Sequence, residues 1–306
     1  MRKRHVLPAL LFAVAAAFAA AHAPARAEPP VPILWKATSG DNAVYLLGSF
    51  HLLRRSDYPL SPDVYAALSD AELVLFEVAP GDMDASAAEV MRLAARRSDG
   101  RTLDQEIGPE LAARLRKWVA ALPAEIPLQG YDPWYAAMTV AMWQMMEMGL
   151  DPRLGMDVHV MSRAAEFGKE TGGLETVLQQ VAVFDAMDSE EQVQMLADAL
   201  DSASGGEAEV EQLHADWRAG RADALWEGMG ADLRREYPQL YRAINVARNQ
   251  AWLPRIAARL EAPDGDDTLV VVGALHLLGE DGVVEGLRDL GYAVERICSA
   301  CAASGD

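Results

Sequence analysis

The chain has 306 residues, with 46 acidic against 27 basic side chains and a formal net charge of −19 at pH 7. That balance repels phosphate backbones and anionic membrane surfaces, so neither nucleic acid nor a charged lipid surface is an expected partner. The length suits one large domain, or one domain carrying an insertion.

Arg2, Lys3 and Arg4 precede a run of Leu, Phe, Val and Ala, and Ala25-Arg26-Ala27 has the small-x-small form of a cleavage site. Residues 1–27 are therefore expected to be a secretory signal peptide, removed to give a periplasmic or secreted protein. Pro8 and the many alanines argue against a permanent span. No later stretch reaches the ~18 apolar residues of a spanning helix, so no stable membrane insertion is expected after cleavage. Residues 28–306 are expected to form a single domain.

"ILWKAT" (33–38) and "AVYLLGS" (43–49) flank the turn cluster "SGDN" and predict a β-hairpin. Ser61 or Asp63 is placed to cap a short helix running to Leu68. "AELVLFEV" (71–78) predicts a second core strand, apolar on both faces as in covered parallel sheets. Residues 85–262 form a largely helical middle segment. There, "PELAARLRKWVAAL" (109–122) begins at Pro109, and "DPWYAAMTVAMWQMMEMGL" (132–150) starts with Asp-Pro capping. The helical spacing of Met138, Met142, Met145 and Met146 predicts core packing rather than a ligand site. "MDVHVMSRAAEFG" (156–168) predicts another helix, and His159 and His214 lie on helical stretches without a partner pattern, as structural or surface residues.

The C-terminal end repeats the N-terminal order. "TLVVVGAL" (268–275) is a strand, "EDGVVEGLRDL" (280–290) a helix and "GYAVERI" (291–297) a strand. Both ends thus read strand, Gly-x-x-His, helix, strand. Such units imply an α/β fold with a central, mostly parallel sheet. Cys298 and Cys301 sit in "CSAC" near the end. A redox pair, half a zinc site and a local disulfide are all open to this spacing; the tail position and the lack of a second Cys-x-x-Cys favour the disulfide.

Strand ends of a parallel sheet aim side chains into one crevice. The two Gly-x-x-His motifs would bring His51 and His276 to that edge. Imidazole there is a neutral metal ligand or a proton shuttle. Glu77 closes the apolar strand "LVLFEV", where a carboxylate belongs either to an active edge or to a costly burial. Asp157 in "RLGMD" and Glu175 in the glycine-rich connection "TGGLET" are further acids, each with helix N-capping as the alternative.

The chain resembles the TraB/GumN (TraB/PrgY/GumN) family and its relatives, the Tiki proteins. The resemblance rests on "GSFH" (48–51), "VLFEV" (74–78), "LGMD" (154–157), "GLETVLQQ" (173–180), "DWRAG" (216–220), "ARN" (247–249) and "GALHLLGEDGV" (273–283). It implies a fold similar to that of the erythromycin-esterase and ChaN-like proteins, and a metal-dependent protease site. His51, His276 and Glu77 would then hold a divalent ion, with Mn, Co and Zn unranked. Glu175, Arg248 and Asn249 match other characteristic positions. Ala247 stands where the family often has an acid. The expectation is an exported metal-dependent hydrolase, a peptidase acting on a peptide or other small substrate, with Glu77 as ligand or general base and Arg248 stabilising the oxyanion. Two alternatives are a metal-independent hydrolase with a histidine base and a protein that binds and sequesters a peptide without turnover.

Overall fold

The computed structural model describes residues 28–83, 85–263 and 265–304. The expected signal peptide, residues 1–27, lies outside the described residues. In chain order the first elements are β1 (Leu34–Ser39), β2 (Asn42–Ser49), α1 (Pro62–Asp70) and β3 (Leu73–Val78). Helices α2 (Ala85–Ala94), α3 (Leu103–Ala120), α4 (Pro133–Glu147) and α5 (Met156–Glu166) follow. Then come β4 (Glu170–Glu175), α6 (Val177–Asp185), α7 (Ser189–Ser202) and α8 (Glu207–Arg218). Short helices α9 (Ala222–Leu225), α10 (Asp232–Glu236) and α11 (Pro238–Tyr241) lead to α12 (Ala247–Leu260). The chain ends with β5 (Thr268–Gly273), α13 (Val283–Asp289), β6 (Ala293–Arg296) and α14 (Ser299–Ser304).

Among the described residues, six strands form one sheet in the order β4-β3-β5-β2-β1-β6. β5 pairs in parallel with both β2 and β3, and β3 in parallel with β4. β1 runs antiparallel to its neighbours β2 and β6. The expected α/β fold with a mostly parallel sheet is what forms. Every residue of β2 is buried, as is all of β5 except Gly273, which explains their unbroken apolar sequences. The two terminal Gly-x-x-His units meet directly: β2 and β5 lie side by side, with Ser49 opposite Gly273.

The sheet core takes in α1, α5, α12 and α13 through Leu68, Val160, Trp252 and Leu287. A second core, around Leu103, Leu115, Val140 and Leu196, belongs to α3, α4 and α7. Among the described residues, no helix is long and apolar enough to cross a membrane.

Several local expectations need correction. Residues 170–175 are not a loop but the edge strand β4, so Glu175 ends a strand. Asp132 occupies the N-cap position of α4, yet its side chain makes no cap hydrogen bond and instead accepts one from Arg97 at 3.3 Å. Met138 and Met145 pack inward, but Met142 and Met146 are 39% and 48% exposed. Ser61 does cap α1, accepting from the Asp63 N–H at 3.2 Å. Cys298 and Cys301 form a disulfide.

Candidate functional site

The carboxyl ends of β2, β3 and β5 deliver His51, Glu77 and His276 to one place. Gly273 marks the meeting point. A Cβ built on it would lie 3.3 Å from His51 Nε2, 3.3 Å from Glu77 Oε1 and 3.7 Å from His276 Cδ2. Only glycine lets three functional side chains converge there without displacing one.

The segment after β2 is tied to the start of α5. The Met156 N–H donates to Phe50 O at 3.0 Å, and Leu53 and Asp151 exchange backbone hydrogen bonds. This sets His51 Nδ1 3.4 Å from Asp157 Oδ2. Asp157 therefore pairs with a histidine and does not cap α5, whose N-cap, Gly155, has no side-chain bond. Crowding by protein atoms favours the neutral imidazole. Asp157, aided by Glu77, outweighs that and lifts the His51 pKa to about 9. The His51 side chain is 55% exposed, so water screens part of this attraction.

His276 has the same motif and the opposite environment, its side chain only 8% exposed. Its Nδ1 faces Asn249 Oδ1 at 2.7 Å. The Asn249 amide nitrogen donates to Asp281 O at 2.8 Å, so its oxygen is the free acceptor and His276 Nδ1 carries the hydrogen. His276 Nε2 is then the acceptor for Arg248 Nη1 at 3.1 Å. Trp252 covers the ring at a centroid distance of 4.6 Å. Burial first, with the charge of Arg248 added, pushes the His276 pKa down to about 3.

Arg248 is the hub. Nη2 donates to Glu77 Oε2 and to Glu175 Oε1, both at 2.6 Å. Nε donates to Glu175 Oε1 at 3.0 Å, and Nη1 to Ile244 O at 3.0 Å as well as to His276. All five N–H groups are committed, leaving none for the oxyanion role expected of this residue. Glu77 also accepts from Gln180 Nε2 at 2.9 Å and the Gly273 N–H at 2.7 Å. Burial opposes its ionisation, but the field of His276, His51 and Arg248 prevails and holds its pKa at about 2.

Above His51 opens a cleft of about 410 Å³, lined by Ser49, His51, Glu77, Asp157, Gln180 and apolar side chains. His276 does not line it but stands behind Glu77, so the two histidines do not face each other across the cleft. Two polar atoms at its floor, Ser49 Oγ and Asp157 Oδ1, are buried with no hydrogen-bond partner. Ser49 makes no bond to His51 and is not an activated nucleophile in this arrangement. A larger groove, about 920 Å³, lies between Trp35 and Trp226. It holds no histidine, and its Arg221 and Arg288 are paired with Asp216 and Glu285.

The three expected metal ligands are thus neighbours, but their lone pairs do not fit an ion. His276 Nε2 is engaged by a permanently charged guanidinium, which opposes a cation at the same point. Glu77 Oε1 accepts a backbone N–H and lies 3.9 Å from His276 Nε2. Among the described residues, no three His, Cys, Asp or Glu side chains stand as a metal-holding group.

His159 and His214 lie elsewhere. His159 Nε2 is 3.2 Å from the Tyr65 hydroxyl, and His214 Nε2 is 2.9 Å from the fully buried Asp57. Sequence reasoning left Asp157 undecided and missed Ser49 and Gln180. Ser49 carries one signal, its place two residues before His51 at a strand end. A profile of the TraB/PrgY/gumN family matches residues 33–296. No curated protein matches the chain.

Proposed function

The chain belongs to the TraB/PrgY/gumN family, and we propose that it hydrolyses carboxylic ester or amide bonds with His51 as the proton-transfer residue. The observation that carries this reading is an open imidazole on a cleft floor, backed by Asp157 at 3.4 Å, beside a largely buried Glu77–Arg248–Glu175 network. Once His51 has lost its proton, Nε2 takes one from a water attacking the substrate carbonyl. Asp157 holds Nδ1–H in place and stabilises the imidazolium; Nε2 then gives the proton to the leaving group. Glu77, Arg248, Glu175, Asn249 and His276 act as the support that fixes the floor.

The expected divalent ion is not part of these steps, because the lone pairs described above do not fit it. The test is hydrolysis of small esters and amides across pH. His51→Ala is expected to lose about 10²–10⁴-fold in rate. Wild-type activity rises with pH as His51 deprotonates, through its raised value of about 9. Asp157→Asn removes the anion that lifts it, so the rising limb moves to lower pH, by about one unit or more. A limb that stays put sinks the reading. Activity is expected to survive EDTA; loss on chelation, restored by Mn, Co or Zn, would favour the metal-dependent peptidase instead. Detection of the processed chain in a periplasmic or culture fraction tests export separately.

A further inference from the structure

Resting on the hydrolase reading above, we propose that the group bearing the reacting carbonyl is an unbranched aliphatic acyl chain, held by the methionine wall above His51. Most of the cleft's lining is apolar. Its ionisable lining residues, His51, Glu77 and Asp157, are all at the floor, and no Lys or Arg lines it. An anionic substrate group would meet two carboxylates there, and His51 is the cleft's one cationic group, its charge lost as pH rises through about 9. The one amide on the lining, Gln180, gives one of its two N–H groups to Glu77.

The walls are built by Met83, Met91, Met142 and Met161, with Val158 and Phe76. The methionines arrive from four separate parts of the chain. Met83 and Met142 keep 46% and 39% of their surface exposed, leaving apolar area at the cleft mouth that folding has not covered. Methionine is unbranched and adaptable, so such a wall conforms to a flexible chain rather than to one rigid shape. The complementary polar end is His51, its side chain 55% exposed and backed by Asp157, which meets the reacting carbonyl and the attacking water. A polar end at the floor and a chain along the wall describe an acyl ester or amide.

In the reaction, a water oxygen bonds to the acyl carbon and the acyl–oxygen bond of an ester breaks. The water proton reaches the departing alcohol through His51, and the fatty acid is left. Once ionised, that acid is repelled by Glu77 and Asp157, which favours its release.

The experiment uses p-nitrophenyl acetate, butyrate, hexanoate and octanoate with wild type, His51→Ala and Met142→Ser, and octanamide binding by calorimetry. Met142 is partly exposed, and a thermal melt checks that the variant folds. From acetate to octanoate, kcat/KM is expected to rise about tenfold or more as methylenes leave water. Met142→Ser should flatten the rise mainly through KM and weaken octanamide binding. A flat series with no octanamide binding overturns the inference, even where His51→Ala abolishes acetate hydrolysis and the hydrolase reading stands. No turnover of any ester, with Met142-dependent octanamide binding, leaves the ligand class standing and removes the hydrolase. Faster cleavage of short charged peptides than of the octanoyl ester overturns it as well.

Discussion

Arg248 shows how one side chain makes a floor rich in carboxylates compatible with a folded interior. Its guanidinium lies between Glu77 and Glu175 and stacks over Trp252 at 4.8 Å. Removing it strands two carboxylates in a site that water barely reaches. Arg248→Met is expected to destabilise the protein by about 3–5 kcal/mol in urea unfolding. Arg248→Lys should recover only part of that, because an ammonium cannot reproduce the five-donor fork. The same cluster sets the acid limit of stability. Glu77 has a folded pKa of about 2, below its ordinary 4.5, so the stability it contributes is complete above that ordinary value and lost as pH falls through about 2. His276, at about 3 against 6.5, acts in the same sense: its buried neutral ring stabilises above 6.5, and that contribution is lost as pH falls toward 3. The melting temperature should therefore decline from near pH 6.5 downward. His276→Gln should flatten the upper part of that decline; an unchanged profile would show that the ring is not the titrating group.

At the scale of elements, much was legible and the misses have physical causes. β2, β3 and β5 announced themselves because strands covered on both faces are apolar throughout. β4 did not, because "TGGLE" carries two glycines and its strand exists through pairing with β3. The glycine that hides the strand is also what the strand needs: a Cβ on Gly173 would sit 2.4 Å from Ala79 N. Asp157 was ambiguous for a similar reason. In sequence it is an acid in the first turn of α5, where capping is the local rule; its partner, His51, is supplied by tertiary contact. Glu77, His51 and His276 were visible because each stands at the end of an apolar run. Gly155 joins these elements most tightly, since a Cβ there would lie 2.3 Å from His51 O and 2.8 Å from Asp157 Oδ1. Gly155→Ala is expected to lower both the melting temperature and the hydrolytic rate. Gly81→Ala, with nothing within 4 Å of its added Cβ, is the matched control and should leave both unchanged. Equal behaviour of the two variants would remove the proposed link between the β2 exit and α5.

Across the whole molecule, the informative feature is the sheet order. β5 lies between β3 and β2, although more than half the chain separates it from them. The repeated order of the two ends predicted that they belong together; it could not reveal that they interleave, since strand order follows from packing and not from local pattern. The helical middle likewise reads as helices, while its separate core around α3, α4 and α7 becomes visible only in space. A chain truncated after residue 262 lacks the strand that joins the two halves of the sheet. It is expected to show no cooperative melt, and a fragment that melted as sharply as the full chain would contradict this account of the fold.

That interleaving also has a consequence in time. A ribosome makes His51, Glu77 and Asp157 long before it makes Gly273, the residue around which they gather. Until β5 emerges and takes its place between β2 and β3, the nascent polypeptide carries the side chains without the vessel, and the proposed hydrolysis is expected to be absent during biosynthesis.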